Sequence, residues 1–76
     1  MNRRAKLLER ARHGTISFEE FETLLAQNGW VKRKSKRGSH RVWISPRGIP
    51  HPIQPDQNGE AKKYQLEQFF KEFENA

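Results

Sequence analysis

The feature that most constrains the fold lies near the end of the chain. Leu66, Phe69, Phe70 and Phe73 fall at i, i+3, i+4 and i+7, the spacing of one face of an α-helix. The pattern predicts a helix from about Lys62 to Glu74. It places Leu66 and the three phenylalanines, with Tyr64 beside them, against a partner surface. Glu67, Glu72 and Glu74 are assigned to the solvated side of that helix. A helix so rich in aromatics needs a layer to cover, and the rest of the chain supplies a sheet.

A second helix is legible upstream. Ser17 followed three residues later by Glu20 reads as a capping box, with Ile16 and Phe21 at the staple positions around it. Phe18, Phe21, Leu24 and Leu25 make the apolar face, and Glu19, Glu20 and Glu22 are read as negative charge in the first turn, where the helix dipole favours it. Asn28-Gly29 ends the helix, Gly29 being suited to the left-handed C′ position, and Trp30 folds back on the last turn. A shorter helix is expected over Arg3–Arg12, its stripe formed by Ala5, Leu7, Leu8 and Ala11. So short a helix depends on tertiary support.

Between the helices the pattern changes to strand. Trp30–Lys36 and His40–Ser45 (HRVWIS) flank an Arg37-Gly38-Ser39 turn. After Pro46-Arg47-Gly48 a third strand runs from Ile49 to Gln54. Pro50 and Pro52 lack donors, which makes it an edge or an irregular strand. Pro55–Gly59 is a polar connection. The expected fold is α+β: one domain over residues 1–76, αβββα with residues 1–15 as an N-terminal helical extension, helices on one sheet face and the other face free.

Charge is concentrated rather than spread. The chain has 15 Lys+Arg and 9 Asp+Glu. Lys32–Arg41 (KRKSKRGSHR) holds six of the bases and no acid, so the remainder is balanced. A focused cationic segment suits an anionic partner, nucleic acid before an acidic protein. The absence of cysteine removes disulfides and Cys-based zinc sites. No apolar run reaches the ~18 residues of a membrane span, and MNRRAKLLERARHG lacks a signal peptide's apolar stretch. No membrane partner and a cytoplasmic location are expected.

Within that segment Gly38-Ser39-His40 can carry chemistry. Glycine lets the backbone approach a phosphate, serine donates a hydroxyl, and histidine exchanges a proton near neutral pH. Lys36, Arg37 and Arg41 can hold a phosphodiester whose own 2′-OH is the nucleophile, a reaction needing no metal or other cofactor. A structural reading stands beside this one: a turn glycine, a capping serine and a half-buried histidine at a strand start. On strand alternation His40 shares a face with Val42 and Ile44, while Arg41 and Trp43 take the other. Trp43 suits stacking on a base, core packing or a protein interface. Tyr64 reads as packing, and Arg3, Arg4, Arg10 and Arg12 as a solvated helix face.

Taken together, FEEFETLLAQNGW, the basic strand, Gly38-Ser39-His40 and PIQPDQNGEAKKYQLEQFF, in this order, resemble the HicA-type (YcfA-like) mRNA interferase toxins of toxin–antitoxin pairs. The resemblance runs from about Phe18 to Phe73. It implies a fold like that of double-stranded-RNA-binding domains, ribosome-independent cleavage of messenger RNA with His40 as the catalytic residue, and a HicB-type antitoxin as partner. Many members carry a second histidine directly after the first, where this chain has Arg41. The RNA-binding residues expected around His40 are Lys34, Lys36, Arg37, Gly38, Ser39 and Arg41.

Overall fold

The computed structural model describes residues 3–34 and 41–74. Its elements are α1 (Arg3–His13), α2 (Phe18–Gln27), β1 (Val31–Arg33), β2 (Arg41–Ile44), β3 (Pro50–Ile53) and α3 (Lys63–Glu74). The strands form an antiparallel sheet in the order β1-β2-β3. This is an α+β fold, and the run from α2 to α3 is compatible with the double-stranded-RNA-binding architecture implied by the resemblance.

The start of α2 is built as its sequence requires. Ser17 is the N-cap, its Oγ accepting from the Glu20 N–H at 3.0 Å while the Glu20 carboxylate accepts from the Ser17 N–H at 3.0 Å. Two otherwise unpaired donors are thereby satisfied. Ile16 and Phe21, each 1% exposed, close the staple beneath them. At the other end Gly29 takes φ +86°, a left-handed conformation that favours glycine, and the Trp30 N–H returns to the Leu25 carbonyl at 3.1 Å.

Both Glu20 oxygens are used. Arg10 of α1 donates to Oε2 at 2.6 Å. The Ser17 backbone bond first, and the Arg10 bond second, hold the Glu20 carboxyl below its ordinary pKa. A depressed carboxyl stabilises the fold above its unfolded-state pKa and loses that contribution as pH falls through the folded value. Wild-type stability is therefore expected to drop more steeply than that of Glu20→Gln below about pH 4.5, the ordinary value. Parallel slopes in urea titrations between pH 6 and pH 3 would refute this.

The core lies between the helices and one sheet face. Phe21, Leu24 and Leu25 from α2 meet Leu66 and Phe69 from α3, with Trp30, Trp43 and Ile53 from the sheet side. Phe69 is central: its ring stands edge-on to Phe21 at 6.4 Å and lies 5.9 Å from Trp30 and 5.1 Å from Phe70. Helix α1 joins this core through buried Ala11 and half-buried Leu7 and Leu8, and Arg12 lays its guanidinium 4.6 Å over the Phe70 ring.

The expected polar connection after β3 is a latch. Asp56 Oδ1 accepts from the Asn58 and Glu60 N–H groups at 2.8 and 2.9 Å, an Asx-type turn. The turn then bonds to the entrance of α2, Phe18 N–H to the Gly59 carbonyl and Ala61 N–H to the Ile16 carbonyl, both at 2.9 Å.

Two assignments on α3 are corrected. Glu72 is not solvated but 9% exposed; it turns toward the sheet and accepts from Arg47 at 3.1 Å. His51 Nε2 lies 4.0 Å from its other oxygen. Tyr64 does not pack and is 54% exposed, while Phe73 lies at the margin of the core.

Candidate nucleic-acid interface

The described part of the basic segment is β1, Lys34 and the start of β2. Lys32, Arg33 and Lys34 are exposed, and Arg41 opens β2 half-buried. Lys36, Arg37, Gly38, Ser39 and His40 lie outside the described residues.

Side chains on the two sheet faces meet different surroundings. Trp43 is buried at 6% exposure and Ile53 at 4%, and with Arg41, His51 and Lys32 they share the face turned to the helices by the pairings Arg41↔Ile53, Trp43↔His51 and Lys32↔Trp43. Of the uses open to Trp43, the structure shows core packing. The opposite face carries Val31, Arg33, Val42, Ile44, Pro50 and Pro52. Val31 is 64% exposed there, and no described helix covers this face.

The Arg41 end of the sheet is organised by Glu22. This residue lies about 40° around α2 from Phe18, so its carboxylate turns to the sheet rather than to water, with its side chain 14% exposed. One oxygen accepts from Arg41, and the other accepts from Trp43 Nε1–H at 3.0 Å. Lys32 Nζ stands 4.0 Å from the same carboxylate. The Arg41 guanidinium also lies 5.5 Å above the Phe18 ring. Glu22 thus ties the two strands that enter and leave the basic hairpin. In the sequence Glu22 reads as a helix-dipole charge; the signal for its contact with the sheet is its 3.6-residue phase with Phe18 and Leu25.

Chemically, this end of the sheet combines the exposed cations of β1 with half-buried Arg41, which the Glu22 carboxylate holds in place. Among the described residues no three His, Asp or Glu side chains are grouped to hold a metal ion, and no helix is long and apolar enough to cross a membrane. The fold and the cationic strand pair define a small α+β domain with one sheet face covered by helices and the other free of described helices. A family model for the HicA toxin of bacterial toxin–antitoxin systems matches residues 18–74. That span is three quarters of the 76 residues, and the chain belongs to the HicA toxin family, the toxin side of a toxin–antitoxin pair. The match begins at the first residue of α2, leaving α1 outside it. No curated protein and no solved structure matches the chain.

Proposed function

We infer that this chain is an endoribonuclease that cleaves messenger RNA, inhibiting translation and growth in the cytoplasm until a HicB-type antitoxin binds it. The observation that carries this reading is the family match across residues 18–74, which spans the Gly38-Ser39-His40 tripeptide and the bases around it. The exposed cations of β1 and the sheet face free of described helices support it, because RNA needs an accessible cationic surface.

In the proposed reaction the ribose 2′-OH attacks its neighbouring phosphorus, and the 5′-oxygen of the next nucleotide leaves. His40 acts as general base or general acid in that displacement. Lys34, Lys36, Arg37 and Arg41 bind the phosphodiester backbone and stabilise the charge that accumulates on it, with Ser39 and the Gly38 backbone orienting it. Arg41, held by Glu22, contributes a fixed positive charge rather than a mobile one. One imidazole cannot serve both ends of the displacement in a single turnover; the second proton passes through water, Ser39 or a lysine.

The test is incubation of the purified chain, freed of its partner, with a defined messenger RNA. Discrete fragments are expected at low salt, with cleavage declining as salt rises because phosphate contacts release counterions. Intact RNA that is nevertheless bound in a salt-sensitive manner would establish a non-catalytic RNA-binding module instead.

A further inference from the structure

The two edges of the sheet differ in what they offer another chain. The Ser45 N–H donates to the Ile49 carbonyl at 2.9 Å, which makes Ser45↔Ile49 a hydrogen-bonded pair at the mouth of the β2–β3 hairpin. Antiparallel pairs alternate, so Trp43↔His51 and Arg41↔Ile53 are bonded pairs too. Pro50 and Pro52 fall in the intervening pairs, where main-chain groups point away from β2. Both outward donor positions of β3 are therefore prolines, and that edge cannot extend the ladder.

The same alternation directs the main chain of Val42 and Ile44 toward β1. Their partners Arg33 and Val31 face inward, and the N–H and C=O of Lys32 face outward, followed by the N–H of Lys34. All three β1 residues are exposed, and no described residue bonds to this edge. One edge is closed by proline, and the other is open and flanked by Lys32, Arg33 and Lys34.

We propose that the β1 edge is the docking site for an extended acidic segment of the antitoxin, which adds to the sheet as a fourth strand beside Val31–Lys34. Main-chain bonds to Lys32 and Lys34 would give the segment its register, and acidic side chains would pair with Arg33 and Lys34. A second copy of this chain is the poorer occupant: an edge-to-edge β1 pair sets three cations against three, and like charges across strands repel. RNA has no main-chain amide ladder to pair with this edge. The inference rests on the toxin–antitoxin partnership of the family and not on the nuclease reading.

The experiment uses the chain co-expressed with the product of its neighbouring reading frame and purified as the resulting complex. Amide hydrogen exchange is followed by NMR for the free and the saturated chain. Exchange at Lys32 and Lys34 is expected to slow at least tenfold in the complex. Lys32→Pro, which removes the outward donor, should weaken binding at least tenfold relative to Lys32→Ala, which keeps it. Unchanged Lys32 exchange in the saturated complex overturns the proposal. So does Lys32 protection already complete in the free chain, edge-to-edge self-association, or absence of any complex. The exchange measurement needs only wild-type protein, so a misfolded proline variant does not decide the matter. Neither readout involves RNA, so a chain that cleaves nothing leaves these outcomes intact.

Discussion

Phe69→Ala is expected to lower the unfolding free energy by about 3–5 kcal/mol. The ring is 1% exposed and bridges α2, the Trp30 corner and its own helix, with Phe21, Trp30, Phe70 and Phe73 within 6.4 Å by centroid. Truncation loses the transfer free energy of the ring and leaves a cavity that rigid neighbours from three elements cannot close. A domain of this length has roughly 4–11 kcal/mol in total, at 0.05–0.15 kcal/mol per residue. The variant should therefore melt roughly ten to forty degrees lower, since each kcal/mol shifts the midpoint of so small a domain by about 4–8 °C. Phe73→Ala is the matched control: one turn further along the same helix and 38% exposed, it should cost less than half as much. Equal melting temperatures for the two variants, measured by circular dichroism, would show that the core is not centred on Phe69.

The same helix shows how far the sequence could be read. Its period was plain, and Leu66 and Phe69 are buried as the spacing requires. At two positions residue type and angular position on the helix disagree, and angle decides. Glu72 is three residues after Phe69, about 60° around the helix, and so faces inward despite its charge. Arg47, on the turn between β2 and β3, supplies the compensation that makes this burial tolerable. Tyr64 is two residues before Leu66, about 160° away, and faces water despite its ring. On the sheet, alternation separated Trp43 from Val42 and Ile44 but could not choose the inner face, because both sets are apolar. The choice is made by α2, whose Glu22 gives the indole N–H of Trp43 a partner. Nothing local to β2 records that contact, which spans 21 residues of chain. The capping box and the Gly29 exit, by contrast, are local devices and were fully legible. The site divides along the same line: its cations are a local run visible in the sequence, while the carboxylate that fixes Arg41 comes from a distant helix.

His40→Ala is expected to reduce RNA cleavage by about 10²–10⁴-fold, the range general acid–base catalysis contributes. Binding should change far less, because the backbone contacts assigned to Lys34, Lys36, Arg37 and Arg41 survive the substitution and phosphate affinity is set mainly by the number of cations engaged. The salt dependence of RNA binding should accordingly match wild type, whereas Arg37→Ala should flatten its slope by about one unit of log affinity per log salt. Proton transfer by the His40 imidazole also gives wild-type cleavage a pH dependence, set by that group's pKa, that the alanine variant lacks. The direction of the change separates two roles. A general base requires neutral His40, so the rate rises as pH climbs through that pKa; a general acid requires the protonated form, and the rate falls. In cells, induced wild type should arrest growth and deplete messenger RNA while His40→Ala does neither. Cleavage and arrest by His40→Ala at the wild-type level would remove His40 from the reaction and leave the Gly-Ser-His segment as a turn and strand start. The melting temperature of the variant completes the comparison, since loss of activity in a chain that still folds and still binds RNA isolates proton transfer from architecture.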